Sequence, residues 1–493
     1  MNKAYIIGSG FAGMAAASFL AKAGWKVTVL EKNDGPGGRA RQLKADGFTF
    51  DMGPSWYWMP DVFERFFAAF GKTTADFYSL KRLDPSYRVF WADSFTDIPA
   101  NINHLKQLFD SWEPGAGEQL DKYLKEAEFK YKTGMGKLVF KPGVSVLEFA
   151  DIDFLKGLFR MDVFSSLKNH VGQHFKDPRI RQLMEFPVLF LGALPEKTPA
   201  LYSLMNYADI CGGTWYPSGG MYSVVEAMYC LALELGVQFR FNEAVTSLKV
   251  EGKKIDKIIT TASSFQPDLL IAGADYHHVE QELLPPEARE YSADYWNSRQ
   301  MAPSCLIYYV GINKKLNQVR HHNLFFDTSF AKHADEIYSI HAWPDEPLFY
   351  LCVNSISDPQ AAPEGCENLF FLIPVASGLK GDDEILKTKY FNMIIDRLER
   401  HTGESIRDHI MYNRSYSSSD FFMDYNSFKG NAYGLANTLK QTALLKPKCR
   451  SSKINNLYYT GQLTVPGPGV PPSLISGEIV ARLVSANYPN PKS

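Results

Sequence analysis

The first thirty residues alternate between apolar runs and glycine turns in the pattern of a strand, a helix and a second strand. Residues 4–7 form a short apolar run that ends at the glycine-rich turn 8–13. An alanine-rich stretch with helical spacing continues to about residue 23, Gly24 stops it, and residues 26–30 form a second apolar run. The pattern predicts one βαβ unit.

The rest of the chain changes period several times. Phe, Leu and Lys recur at helical spacing from about residue 60 to 209, which predicts a mostly helical insertion. A Gly-Gly turn within 215–232 introduces another helix, and residues 456–487 have the pattern of strand, Gly/Pro loop and helix. Apolar runs bounded by turn residues predict further strands, the first three of them as a meander, at 237–241, 246–250, 257–261, 268–272, 305–310, 349–354 and 369–373.

No internal repeat or linker divides the chain into successive domains. A βαβ unit at one end and a strand-loop-helix at the other favour one cofactor domain assembled from separated pieces, 1–75, 211–275 and 426–493. We expect a helical region, 76–210, and a mixed α+β substrate domain, 276–425, to be inserted between them.

Composition narrows the class of partner. The chain has 493 residues, 45% of them hydrophobic, which is enough for a large core and two to four domains. Lys and Arg number 52 against 54 Asp and Glu, so the net charge of −2 gives no overall field to attract nucleic acid. An aromatic content of 14% suits large cores or a pocket for a large apolar ligand.

Compartment is also constrained by the sequence. The six cysteines are scattered without a C-x-x-C pair, so we expect neither a metal site nor a disulfide framework. The apolar strand follows Met1 too closely for a signal peptide, and no run reaches the roughly 18 to 20 apolar residues of a spanning helix. These features predict a cytoplasmic protein.

The glycine turn carries a dinucleotide fingerprint. Gly8, Gly10 and Gly13 form G-x-G-x-x-G between the predicted strand and helix, and Glu31 stands at the end of the second strand. A lone match of this kind is more often an ordinary glycine turn. Here the glycines permit a tight turn, close approach of a pyrophosphate and close helix packing, while Glu31 can accept hydrogen bonds from ribose. The combination predicts dinucleotide binding.

Several motifs carry a family resemblance. The extension Glu31-Lys32-Asn33-Asp34-Gly35-Pro36-Gly37-Gly38-Arg39 resembles that of FAD-containing amine oxidases and carotenoid desaturases, which an NAD dehydrogenase does not need. Further segments resemble, in order, the bacterial phytoene-desaturase-type carotenoid enzymes, and they favour that family over the amine oxidases: Phe50-Asp51-Met52-Gly53-Pro54-Ser55, Tyr216-Pro217-Ser218-Gly219-Gly220-Met221, Asn354-Ser355 with Asp358-Pro359, Ala362-Pro363-Glu364-Gly365, Asn431-Ala432-Tyr433-Gly434-Leu435, Leu457-Tyr458-Tyr459-Thr460-Gly461, Pro466-Gly467-Pro468-Gly469-Val470-Pro471 and Ser476-Gly477.

The resemblance implies an α/β fold: a discontinuous Rossmann-type FAD-binding domain, an α+β substrate domain and a helical membrane-associating region. It implies FAD as cofactor, with the C-terminal Gly/Pro loop and the helix after it cradling the flavin. The implied cofactor-binding residues are Gly8, Gly10, Phe11, Ala12, Gly13, Glu31, Lys32, Gly38, Arg39, Gly53, Pro54, Ser55, Val245, Gly461, Gly469, Val470 and Pro471.

The activity implied is FAD-dependent desaturation of a carotenoid, by removal of hydride and proton from adjacent carbons to extend conjugation. Overall similarity leans toward a coloured or hydroxylated carotenoid, as in the hydroxycarotenoid 3,4-desaturase branch, rather than phytoene. Isomerisation or saturation of a polyene stays open, as does oxygen or quinone as electron acceptor. We expect the enzyme to be peripheral on the inner face of the cell membrane.

Two stretches depart from the family pattern. Gln462 and Leu463 stand where relatives usually carry small residues, which alters the expected flavin environment. Residues 273–277, Gly-Ala-Asp-Tyr-His, replace the more usual Asn-Ala-Asp-Pro, and we expect this to change only a turn.

Catalytic side chains are not evident in the sequence. Hydride transfer from a hydrocarbon relies on the cofactor, and no Ser-His-Asp set or carboxylate pair is visible. The pairs His277-His278 and His321-His322 are expected at turns or on the surface. The amphipathic stretch 154–161, edged by cations, fits either a core helix or a membrane-dipping segment, and the resemblance favours the second, with Arg160 as a weak candidate for substrate binding.

Two alternatives use the same scaffold. A flavin amine oxidase would need an aromatic cage or acidic pocket for its cationic substrate, and neither is identifiable in the sequence. A flavin-free, prenyl-binding escort protein would not need the intact phosphate loop, Glu31 or Gly38-Arg39.

Overall fold

Strands from both ends of the chain form one parallel sheet. In this computed structural model, which describes residues 2–143, 165–192, 194–438 and 441–488, the sheet has five strands. Their order across the sheet is Leu457–Tyr459, Leu269–Ala272, Lys3–Ile7, Lys26–Leu30 and Gln238–Arg240. All five run in the same direction, and the three central strands are almost wholly buried because both faces of the sheet are covered.

The two faces of the parallel sheet pack against different layers. Helices Phe11–Lys22, Tyr222–Glu234 and Val470–Asn487 cover one face, and their apolar side chains share a core with Ile6 and Val29. The other face packs on a three-stranded antiparallel sheet, formed by Val245–Glu251, Lys254–Thr260 and Ser264–Phe265.

A second, seven-stranded sheet, here called the mixed sheet, stands beside the first. Helix Glu384–Thr402 packs on one of its faces through Tyr390, Ile394 and Leu398. Alternate residues of its long buried strands face the opposite way, into the core that also contains the parallel sheet. Its strands in spatial order are Ile410–Tyr416, Ser304–Ile312, Glu367–Val375, Phe349–Cys352, His322–Phe325, Tyr87–Phe90 and Phe95–Ile98.

Shorter elements surround these sheets. A small hairpin pairs Gln42–Ala45 with Phe48–Asp51, and a separate two-stranded antiparallel sheet pairs Leu80–Arg82 with Trp215–Pro217. The other α-helices of the described residues are Pro60–Ala68, Ile102–Trp112, Ala116–Thr133, Leu167–His174, Pro178–Glu185, Leu204–Tyr207, Tyr276–His278, Ala293–Asn297, Phe330–Asp335 and Ser418–Tyr425. Within the described ranges, no helix combines the length and apolar character needed to cross a membrane.

The prediction of an α/β fold is confirmed, and two elements differ from their predicted pattern. Gln238–Arg240 is an edge strand of the parallel sheet rather than part of a meander, because it pairs with Lys26–Leu30. The stretch predicted to be mostly helical also contains Tyr87–Phe90 and Phe95–Ile98, a hairpin of the mixed sheet too short to show a strand period. The membrane-dipping stretch 154–161, with Arg160, lies outside the described residues.

Candidate functional site

A cavity of about 290 Å³ opens where the parallel strands end. From the central strand Lys3–Ile7 the chain passes to Lys26–Leu30 on one side and later returns to its other side at Leu269–Ala272, so the strand order reverses here. Such a switch point leaves a crevice at the carboxyl edge of a parallel sheet. The residues that follow four of the strands line this crevice, namely Gly8, Glu31, Gly273 and Thr460.

The helix Phe11–Lys22 begins at this cavity without a side-chain cap. Gly10 is its N-cap residue, no side chain accepts from its first N–H groups, and its first turn contains no acidic residue. A Cβ added to Gly10 would meet no atom within 4 Å, whereas one on Gly13 would lie 2.1 Å from the Gly8 carbonyl oxygen. Gly10 therefore faces open space in front of unpaired N–H donors, which suits a diphosphate, and Gly13 allows the helix to pack beneath the loop.

Glu31 is held in position by the glycine-rich turn of residues 8–13, here called the glycine loop. Its Oε2 accepts from the Ser9 N–H at 2.9 Å and from the Ser9 hydroxyl at 2.8 Å, and its Oε1 accepts from the Asn33 N–H at 2.9 Å. The residue is only 5% exposed, yet it lines the cavity. Each carboxylate oxygen has two acceptor positions, so Oε1 retains one of them for a ribose hydroxyl.

The C-terminal helix meets the same cavity from the other end of the chain. The Gly461 N–H donates to Ser476 Oγ at 3.0 Å, which fixes the end of the last strand against the helix Val470–Asn487. A Cβ added to Gly477 would lie 2.6 Å from the Ala12 carbonyl oxygen, so this helix packs directly on the first one. Both helix N-termini are therefore directed to one cavity.

Arg39 supplies a partly unsatisfied cation. Its Nη2 donates to the Ser427 hydroxyl and, at 3.3 Å, to the Asn431 carbonyl, and the guanidinium lies 5.3 Å from the Tyr425 ring centroid. Desolvation lowers the pKa of Arg39, and the nearby Asp275 opposes that shift. The buried Nε–H has no partner among the described residues, so it can donate to a polar edge of a bound ring system.

All but three of the described residues predicted to bind cofactor line this cavity. Gly13 instead supports the loop, Ser55 accepts from the Tyr350 hydroxyl at 3.0 Å, and Pro471 lies in the first turn of the last helix. The lining predicted residues are Gly8, Gly10, Phe11, Ala12, Glu31, Lys32, Gly38, Arg39, Gly53, Pro54, Val245, Gly461, Gly469 and Val470. Their contacts with cofactor stay a prediction.

The stretch 273–277 contributes Asp275, a residue that it shares with the family pattern, so the effect of its departing residues stays a prediction. Asp275 lines the cavity and accepts the N–H groups of His278 and Phe428, each at 3.2 Å. Burial raises the pKa of Asp275, and the charge of Arg39 lowers it in opposition. Sequence analysis missed Asp275 as a site residue, although its place directly after a buried parallel strand is a usable signal. Gln462 and Leu463 also line the cavity, as does His278.

The expectation that both histidine pairs lie at turns or on the surface is wrong for His321 and His322. His278 lines the cavity, while His321 and His322 are 4% and 0% exposed within the mixed sheet. Burial lowers the pKa of His321 to about 3 and that of His322 well below its ordinary value. Their burial follows from the pairing of a short interior strand, which the adjacent sequence does not show.

An apolar wall extends from the cavity into the mixed sheet. Ile307, Leu372 and Tyr433 line the cavity, and Leu372 and Tyr433 also line a second cavity of about 70 Å³. None of the described residues around the second cavity is Asp, Glu, Lys or Arg. Its remaining lining residues are Phe186, Pro303, Leu324, Phe326, Phe330, His333, Ala334, Ile337, Tyr338, Leu348, Phe349, Tyr350 and Pro374. The site thus combines a polar, glycine-rich end with an apolar, aromatic end.

Comparison with known proteins places this arrangement in a family. The chain is 42% identical over 480 residues to a carotenoid 3,4-desaturase of Haloarcula japonica, covering 97% of this chain and 96% of that protein. It is 29% identical over 487 residues to a zeta-carotene-forming phytoene desaturase of Myxococcus xanthus, with 96% and 92% covered. An oxidoreductase structure from Methanosarcina mazei has the same fold, with a TM-score of 0.64, 17% identity, and 97% and 100% of the two chains covered.

The family profile described as "Flavin containing amine oxidoreductase" matches residues 11–485, nearly the whole chain. It begins at the uncapped helix of the glycine loop and ends within the C-terminal helix, the two elements that converge on the cavity. The chain therefore belongs to the flavin-containing amine oxidoreductase family.

Proposed function

We propose that this protein is an FAD-dependent carotenoid desaturase acting on a coloured or hydroxylated carotenoid. One observation carries the proposal: the glycine-lined cavity shares Leu372 and Tyr433 with an apolar cavity whose described lining residues include no Asp, Glu, Lys or Arg. Binding a hydrocarbon polyene against such a wall is favourable by about 25 cal/mol for each Å² of apolar surface removed from water. The relationship to the Haloarcula japonica protein supports the same substrate class.

Residues of this chain would bind the FAD and orient it and the polyene. The uncapped N–H groups at Phe11 and Ala12 would hold the FAD diphosphate, and the Glu31 carboxylate would hold a ribose. The unpaired Nε–H of Arg39 would donate to the flavin's polar edge. Bound FAD supplies a ring system that accepts hydride. Apolar side chains at Ile307 and Leu372 position the polyene and exclude water, and no side chain is assigned as proton acceptor.

The amine oxidase alternative needs a group that attracts a cation at the substrate end. The three carboxylates among the described lining residues have other partners, since Glu31 is bonded to the glycine loop, Asp275 faces Arg39, and Asp424 is paired with Arg41. The second cavity has no carboxylate among its described lining residues. A flavin-free escort protein would not retain the uncapped helix and oriented Glu31. These contacts favour the hydrocarbon substrate.

Peripheral attachment to the inner face of the cell membrane is part of the proposal, because a carotenoid resides in the bilayer. The stretch 154–161 has the cations and apolar face of a monotopic segment. We expect the enzyme to float with anionic vesicles. Replacing the apolar residues of 154–161 with serine should abolish this flotation. Oxygen and quinone both remain candidate acceptors, and turnover under anaerobic conditions with added quinone separates them.

The substrate is tested by expression in bacteria that accumulate defined carotenoids, one pigment per strain. We expect a red-shifted pigment that has lost two hydrogens per new double bond in a strain making a coloured or hydroxylated carotenoid. Gly10→Val serves as the flavin-deficient control. Pigments unchanged in every strain, from an enzyme that contains flavin, would contradict desaturation. Release of FMN rather than FAD on denaturation would contradict the cofactor assignment.

A further inference from the structure

Three ligand atoms converge inside the mixed sheet, outside both cavities. They belong to His321, His322 and Cys352, and all lie within 4.8 Å of one another. His322 and Cys352 are directly opposed on adjacent antiparallel strands, which brings their side chains to the same face. His321 is held beside them because the Val353 N–H donates to its carbonyl at 2.8 Å. All three side chains are almost completely buried.

Each imidazole uses its Nδ1 in a hydrogen bond and leaves its Nε2 available. The Tyr350 hydroxyl donates to Ser55 Oγ at 3.0 Å, so it accepts from His322 Nδ1–H at 2.6 Å. His321 Nδ1 lies 2.8 Å from Ser357 Oγ. Neither Nε2 atom has a partner among the described residues. A buried N–H without an acceptor is costly, which favours the proton on Nδ1 and an unshared pair on each Nε2.

Metal-binding histidines have the same arrangement of hydrogen-bond partners. Such a histidine uses one ring nitrogen for the metal and donates the other N–H to a neighbouring oxygen, which orients the ring. The His322 ring is held further by stacking on Trp56, with ring centroids 4.1 Å apart and planes 8° apart. Both rings are therefore held in place, and neither Nε2 is bonded to a described residue.

Cys352 completes the set with a soft ligand. Its thiol donates to Asn354 Oδ1 at 2.9 Å, and the Asn354 amide donates to Asp51 at 3.3 Å. Cys352 is 1% exposed, and its thiol proton lies on this hydrogen bond to Asn354. A metal ion would displace that proton to solvent and form a metal–sulfur bond, with Asp51 as a nearby compensating carboxyl group.

We propose that His321, His322 and Cys352 bind one zinc ion that ties the end of strand Phe349–Cys352 to the start of strand His322–Phe325. Two imidazoles and a thiolate form a borderline-soft set that suits zinc. The fourth position falls to the Asn354 amide oxygen or to water. The ion stabilises the sheet behind the apolar wall and takes no part in hydride transfer.

A second His-containing cluster provides a contrast. Glu126, His170 and His174 also bring ligand atoms within 4.8 Å, but Glu126 is exposed. The Lys130 ammonium lies 3.4 Å from His170 Nε2 and would repel a metal cation. Within the described part of the chain no cation is bonded to Nε2 of His321 or His322, so the proposal is confined to that pair and Cys352.

Metal analysis of the full-length enzyme, purified without a polyhistidine tag, tests the site. We expect one zinc per chain, and in protein grown with cobalt a thiolate-to-cobalt charge-transfer band in the near ultraviolet. Cys352→Ser should lose the charge-transfer band. Cys366→Ser, a change at another buried cysteine, should retain both the metal and the band.

Folded wild-type protein with no bound zinc and no cobalt band would overturn the proposal, as would an equal band in Cys352→Ser. If Cys352→Ser does not fold, His321→Gln and the melting temperature of chelator-treated wild type replace it. Unchanged melting and metal content in both would also contradict the site. Flavin content, measured in parallel, distinguishes this outcome from failure of the proposed FAD function.

Discussion

At the scale of single residues, the space around a glycine decides what a larger side chain there would change. Gly10 and Gly13 belong to one motif, but the first faces an open cavity and the second packs against the Gly8 carbonyl. Gly10 has φ −71°, a value any residue adopts, so a larger side chain there changes the cavity without straining the backbone.

Gly10→Val should therefore give a folded protein that binds little flavin. We expect a loss of at least tenfold in flavin affinity, about 1.4 kcal/mol or more, because the side chain occupies the diphosphate position. The ratio of flavin to protein absorbance measures this, with circular dichroism to verify folding. Gly136→Val, at another glycine with open space around its Cβ position, is the matched control. Equal flavin content in the two variants would refute the assignment of the loop.

Asp327 tests a buried ion pair away from the cofactor. It accepts from Arg397 Nε at 3.0 Å and from His401 Nε2 at 2.8 Å, and these partners lower its pKa to about 2. Asp327→Asn should destabilise the protein by about 3–5 kcal/mol, because Arg397 stays buried without its counter-charge. Asp345→Asn, at an exposed pair with Lys332, should change stability by less than about 1 kcal/mol.

The same pair predicts a pH dependence. Because the folded pKa of Asp327 lies below its ordinary value of about 3.9, its contribution is complete above that pH. It is lost as pH falls from about 4 to about 2. Denaturant unfolding at several pH values should show a steeper loss of stability in this window for wild type than for Asp327→Asn. Parallel pH profiles would contradict this.

At the scale of elements, the first and last helices act as one unit. Gly477 allows close contact with the Ala12 carbonyl and Ala15, and Ser476 holds the N–H of Gly461. The two helix N-termini reach one cavity because these small residues bring the helix axes together. The βαβ pattern predicted the first helix, but the contact between helices needs both ends of the chain.

Gly477→Ala should separate the two helices. The added Cβ would approach backbone atoms of the first helix within about 3 Å and cost about 1–3 kcal/mol through overpacking. We expect lower flavin occupancy together with lower thermal stability. Ser485→Ala, at an exposed position of the same helix, should stay within about 0.5 kcal/mol of wild type. A stabilised Gly477→Ala variant with full flavin would contradict the packing argument.

At the scale of the whole molecule, the cavity depends on strands and loops from three separated segments of the chain. Leu457–Tyr459 pairs with Leu269–Ala272, which pairs with Lys3–Ile7. Removing the residues after 455 should expose Leu270 and Ala272 and abolish flavin binding, although the complete glycine loop remains. Retention of stoichiometric flavin by the truncated chain would show that the N-terminal unit suffices.

Added FAD should stabilise the intact enzyme by linkage. At a free concentration 100 times its dissociation constant, the gain is about 2.7 kcal/mol if the unfolded chain does not bind it. Thermal unfolding of flavin-stripped protein at increasing FAD concentrations measures the gain. Gly10→Val should show no shift, and an equal shift in that variant would indicate binding elsewhere.

The sequence by itself determined the βαβ unit, the order of its motifs and the glycine-rich part of the cavity lining, because tight turns and phosphate loops depend on residues close together in the chain. Only the tertiary structure placed Asp275 beside Arg39, extended the apolar wall through Leu372 and Tyr433, and brought His321 and His322 to Cys352. These juxtapositions depend on strand pairing and helix packing between distant segments. Neither periodicity nor spacing records such pairing. The sequence therefore predicts turn or surface positions for His321 and His322, whereas both are buried in the mixed sheet.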